Sequence, residues 1–132
     1  MSELWGIPRD SLTQEDRTWA LAAHIGTLLA AYVALGFLAP LLVLLIKGES
    51  SPFVRRHSVE SLNFQISLLI YAVVLGIVAA VLVLVTVGIG LLIVIPVGLL
   101  LAVVVLVLIV IATFRASNGE AYEYPFTIRL VK

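Results

Sequence analysis

Two histidines and one short polar run hold the side chains of this chain best suited to chemistry. His57, Glu60 and Asn63 follow one another at i, i+3 and i+6, which puts them on one face of a helix, with Gln65 on a neighbouring face. An imidazole and a carboxylate at this spacing suit proton transfer, or one edge of a metal site. Two ligands are too few for a metal. The other histidine, His24, joins them only if the first helix brings it to the same end of the molecule. The plainer reading is the stronger one: an interfacial polar cluster of His24, His57, Glu60, Asn63 and Gln65 that ties a loop, the first helix and the C-terminal tail together. There is no cysteine, and no phosphate loop, nucleophile elbow or HExxH pattern occurs. The sequence therefore defines no catalytic set, no cofactor and no metal site.

The elements that must position these residues are written in hydropathy. From Ser61 to Phe114 there are 54 consecutive residues without Asp, Glu, Lys, Arg or His. About 20 apolar residues cross a bilayer, so this stretch holds two crossings and a turn. A second apolar run, Thr18 to Ile46, has His24 as its one residue among Asp, Glu, Lys, Arg and His. Hydrophobic residues make up 62% of the 132, and the runs are continuous rather than alternating, which favours helices over barrel strands. The expected fold is an all-α integral membrane protein, a bundle of three to four transmembrane segments in one polytopic domain.

All 16 formal charges sit in three islands, 1–17, 47–60 and 115–132. Residues 1–17 read as a polar tail, too acidic to begin a signal peptide, with Thr13 and Asp16 as an approximate capping box. Helix 1 is expected over 18–35, with Trp19 at the interface. Gly36 to Pro40 then breaks or kinks the run: either one long, kinked span crosses once, or, the preferred reading, a short helix 2 over 39–47 returns as a hairpin. Residues 52–87 form an interfacial start, 52–64, leading into long helix 3, with Ser51 as N-cap and Pro52 at the first position. Helix 4 covers 91–117 and kinks near Pro96. Residues 118–132 form a polar interfacial tail after a stop at Asn118–Gly119.

Small residues recur every four positions at Gly26, Ala30 and Ala34, at Ala23, Thr27 and Ala31, and at Ala72, Gly76 and Ala80, which lets helices approach closely. Lys47, Arg55 and Arg56 are placed to meet lipid headgroups. Six of the eight basic residues lie in the second and third islands, so that face is expected to be cytoplasmic, in a prokaryotic cell membrane. The C-terminus lies on it, and the N-terminus too if the hairpin holds. A formal net charge of zero argues against nucleic acid as a partner. The expected partners are the lipid bilayer and either further copies of the chain or another membrane protein.

Four landmarks carry a resemblance. They are Arg17-Thr-Trp-Ala-Leu-Ala-Ala-His24, the run from Pro40 to Lys47, the segment Ser51 to Ile66 with its His–x–x–Glu–x–x–Asn–Phe–Gln element, and Asn118-Gly-Glu-Ala-Tyr-Glu-Tyr-Pro-Phe-Thr-Ile-Arg129. Together the chain resembles a family of small prokaryotic membrane proteins of unknown function, distantly similar to the Tic-type inner-envelope component of chloroplast protein import. The resemblance implies a four-segment helical protein and brings no activity with it. Three functions are open. The first is a non-enzymatic protein working through helix–helix contacts, in assembly, insertion or transport. The second is an oligomeric channel or transporter subunit, and the third an intramembrane enzyme or metal-binding protein using His57 and Glu60.

Overall fold

The computed structural model describes residues 5–30 and 38–132, which form a 3-10 turn at Arg9–Ser11 and four helices. These are α1 (Gln14–Ala30), α2 (Leu38–Lys47), α3 (Pro52–Val85) and α4 (Leu91–Ser117). Local chemistry sets their ends. The Asp16 amide donates to Thr13 Oγ1 at 3.0 Å, and the Thr13 amide donates to Asp16 Oδ2 at 3.0 Å. This reciprocal box satisfies two amides that the first turn of α1 leaves without a helical partner. Ser51 caps α3 by accepting from the Val54 amide at 3.3 Å, with Pro52 opening the helix. Pro40 falls in the first turn of α2, where its missing N–H removes no helical bond. Ala31, Ala34 and Gly36, the last of which opens the expected turn, lie outside the described residues. α4 continues through Pro96.

α4 stops at a left-handed Gly119, φ +73°, with the Glu120 amide donating to Arg115 O at 2.8 Å. A Cβ at Gly119 would also meet the side chains of Arg17 and Leu12, each at 3.1 Å. The left-handed backbone is what favours glycine there, and the close side chains add crowding. A second close approach joins α1 to α2, where a Cβ on Gly26 would lie 2.8 Å from Ala39 Cβ. Gly26 thus lies against α2 within the chain.

Burial divides the molecule into two parts. Every buried residue of α3 lies between Phe53 and Ser67, and those of α4 are Ile109, Ala112 and Ala116. α1 packs on α2, α3 and α4 at this end. With the tail and the Trp5–Leu12 segment they form a head with three small apolar cores, led by Phe64 and Tyr124, by Ala20 and Phe53, and by Ala23 and Val54. Beyond the head, residues 68–85 and 91–108 continue as an uncovered apolar hairpin. Each arm rises about 27 Å, close to the roughly 30 Å hydrocarbon core.

The most hydrophobic window of α3 is 0% buried and that of α4 is 6% buried. A core helix of a water-soluble protein would be covered, so these two helices belong in lipid. The chain is a helical membrane protein with two helices long and apolar enough to cross. Ala72, Gly76 and Ala80 sit on the uncovered hairpin, and among the described residues nothing beyond the helix's own neighbouring turns lies within 4 Å of a Cβ built on Gly76.

The head brings the three charged islands together. Lys47 pairs with Glu15 at 2.5 Å, Arg9 donates to Asn118 O at 3.0 Å, and Arg55 donates to Lys132 O at 3.1 Å. The turn at Thr86–Gly90 joins the far ends of α3 and α4, with Gly88 N donating to Val83 O at 2.8 Å.

Candidate functional site

α1 runs alongside the first half of α3, and this sets His24 against His57. Ser61 Oγ donates to Ala23 O at 2.7 Å and fixes the register between the two helices. His24 Nε2 lies 2.8 Å from His57 Nδ1, His24 Nδ1 lies 2.8 Å from the Tyr124 hydroxyl, and His57 Nε2 lies 2.8 Å from Glu120 O. All three rings are enclosed.

The bonds dictate the proton positions. A carbonyl only accepts, so His57 Nε2 carries a proton and donates to Glu120 O. With neutral imidazoles, His57 Nδ1 then accepts from His24 Nε2–H, and His24 Nδ1 accepts from Tyr124 O–H. Each tautomer is assigned by this network. Burial pushes the Tyr124 hydroxyl far above the ordinary tyrosine range, which keeps it a donor. The series runs one way, from Tyr124 to a backbone carbonyl that is a poor proton acceptor. It fastens the α1–α3 pair to the tail. Trp5 and Phe53 close over His57 edge-on, with centroids at 4.7 and 4.6 Å, and Phe64 stacks on Tyr124 at 3.9 Å.

Glu60 and Asn63 are spent on the tail backbone. Glu60 Oε1 accepts from the Tyr124 amide at 2.6 Å and from Arg129 Nη2 at 2.8 Å. Asn63 accepts from the Val131 amide at 2.7 Å and donates to Val131 O at 2.9 Å. Ser67 Oγ accepts from the Ile128 amide at 2.7 Å, and the Tyr71 hydroxyl donates to Phe126 O at 2.5 Å. Glu60, Asn63, Ser67 and Tyr71 recur at i, i+3, i+7 and i+11. One stripe of α3 thus reads an extended segment as a neighbouring strand would, with side chains supplying the bonds.

The expected cluster is therefore gathered in part. His24 and His57 touch, and Glu60 and Asn63 line the adjoining stripe. Gln65 stands apart, its Nε2 buried with no partner among the described residues. Lys47 is separated from Arg55 and Arg56. It lies 5.5 Å from the Trp19 ring centroid and pairs with Glu15, whose carboxyl it holds below the usual range. Among the described residues no group of three His, Cys, Asp or Glu side chains is placed to hold a metal ion.

Sequence reasoning did not place Trp5, Ser61, Ser67, Tyr71, Tyr124 or Arg129 at this centre. The signal for Tyr124 was the dense Asn118–Arg129 motif, whose aromatic residues were read as lying along the interface.

Among known protein families, residues 15–131 match the model of the MamF/MmsF family, the magnetosome magnetite crystal formation protein family. The chain belongs to this family. The match spans α1 to α4 and most of the tail, so it takes in the apolar hairpin and the head apart from the Trp5–Leu12 segment. The MamF/MmsF assignment agrees with the small prokaryotic membrane-protein family expected from the motifs, and it supplies a described role where none was expected. No curated protein and no solved structure matches the chain, and none of these comparisons supports a likeness to the Tic-type import component.

Proposed function

We propose that this chain serves magnetite crystal formation as a non-enzymatic, multi-pass protein of the magnetosome membrane. The observation that carries the reading is the family match over residues 15–131. The geometry of the polar centre supports it. Both nitrogens of each imidazole are engaged, and Glu60 and Asn63 hold the tail, so the residues best suited to catalysis serve as fasteners. A channel or transporter subunit finds less support. Residues 68–85 and 91–108 contain one polar side chain, Tyr71, and its hydroxyl is bonded to the tail.

In this reading α3 and α4 cross the bilayer, and α1 and α2 form a hairpin that enters and returns on the side of the charged islands. α2, about 15 Å long, is a half-span. In this reading that side is cytoplasmic, with both termini, and the excess of basic residues in the second and third islands supports it. The protein acts through helix contacts with further copies of itself or with another membrane protein, along the uncovered Ala72–Gly76–Ala80 stripe.

The test is deletion of the gene in a magnetite-forming bacterium, with crystals measured by electron microscopy. Deletion is expected to shift the distribution of crystal size or shape. Wild-type complementation restores it, and Gly76→Leu, which blocks close approach without touching the head, restores it only in part. Crystals indistinguishable from wild type in the deletion strain would remove the basis of the proposal.

A further inference from the structure

The head carries a second feature that neither the fastening network nor the family role uses. A groove of about 530 Å³ opens where the tail crosses the start of α3, and its lining brings together Arg55, Arg56, Arg129 and Lys132. Two acids, Glu60 and Glu123, also line it. Glu60 is already neutralised by Arg129 and turned to the Tyr124 amide. Arg55 is held by the Lys132 carbonyl, while Arg56 has no hydrogen-bond or ion-pair partner among the described residues and is exposed. The groove thus holds a cationic excess, with one guanidinium uncommitted.

What lies beside the groove indicates the ligand. Arg56, Val59, Asn63, Ile66, Ile70 and Val73 recur every three or four residues, so the face of α3 that lines the groove runs on into the uncovered apolar hairpin. The tail reaches the same helix with Phe126, which is 88% exposed and tied to Tyr71 through its carbonyl. A ligand fitting both parts has an anionic head and long apolar chains.

We propose that the groove is a binding site for an anionic phospholipid. Its phosphate sits among Arg56, Arg55 and Lys132, and its acyl chains lie down the Ile66–Ile70–Val73 face of α3. Guanidinium groups suit a phosphate because they present paired, fixed donors. Lys47, committed to Glu15 and Trp19, takes no part.

The full-length protein, purified in mild detergent, is equilibrated with an equimolar mixture of phosphatidylglycerol and phosphatidylcholine, and the lipid retained after washing is counted by mass spectrometry. The wild type is expected to retain phosphatidylglycerol over phosphatidylcholine by about fivefold or more, on the scale of one basic residue near a charged headgroup. The double variant Arg56→Gln, Lys132→Gln should lose the preference, and Arg56→Lys should keep most of it. Lys47→Gln should leave it unchanged. Both altered side chains of the double variant are exposed, so its helical circular dichroism should match the wild type. Equal retention of the two lipids by the wild type, or an undiminished preference in a folded double variant, overturns the proposal. Full displacement of the lipid by millimolar inorganic phosphate overturns it as well, because the groove would then be a site for free phosphate.

Discussion

Replacing His57 with alanine is expected to destabilise the folded head by about 3–5 kcal/mol, the range for truncating a large enclosed ring in a packed core. His57 touches Trp5, Phe53 and His24 and bonds Glu120 O, so its loss opens a cavity and removes the bonds to His24 and to the Glu120 carbonyl at once. Tyr124→Phe should cost less, about 1–3 kcal/mol, since it keeps the stack on Phe64 and removes only the hydroxyl donated to His24. Denaturant titration of the reconstituted protein, followed by circular dichroism, gives both values. A His57→Ala protein within about 1 kcal/mol of wild type would mean that the histidine pair does not hold the head together.

The second large effect belongs to Glu60. Its carboxylate accepts from the Tyr124 amide and from Arg129, and hydrogen bonds to a charged group contribute about 1.5–3 kcal/mol each. The Arg129 side chain is 45% exposed, so its share is discounted for solvent screening, and Glu60→Ala is expected to cost about 3 kcal/mol in total. The loss should be local. Amide exchange at Tyr124, Ile128 and Val131 should accelerate more than a hundredfold, while amides of α3 beyond Ser67 stay as they were. Glu60→Gln keeps an acceptor for Tyr124 and should show a smaller change. Uniform acceleration over the whole chain would argue that Glu60 supports the bundle and not the tail in particular.

Much of the architecture was legible because lipid imposes a strong, local signal. The apolar stretch from Ser61 to Phe114 becomes α3, a turn and α4, and the Thr13–Asp16 and Ser51–Pro52 signatures mark where α1 and α3 begin. The shared face of His57, Glu60 and Asn63 was legible for the same reason, since helical period relates near neighbours. Their partners were not. Tyr124 meets His24 across 100 positions and Val131 meets Asn63 across 68, and no period links residues that far apart. The extended tail has no internal hydrogen-bonded pattern, so its bonds to side chains of α3 leave no trace in its own sequence. The basic residues illustrate the same limit. Lys47, Arg55 and Arg56 read alike in sequence, and only the packing of α2 against α1 commits Lys47 to Glu15.

The proposed function and the proposed lipid groove share one proposed arrangement, a head at one membrane face with a two-helix hairpin crossing to the other. The chain has no cysteine, so single cysteines can be introduced cleanly. Asp10→Cys, Ser50→Cys, Val87→Cys and Glu123→Cys each alter an exposed position. Labelling intact cells with a membrane-impermeant maleimide, before and after lysis, measures the side of each. The account predicts that positions 10, 50 and 123 share one face and that position 87 alone reports from the other. Position 87 on the same side as 50 and 123, or position 10 opposite them, would contradict it.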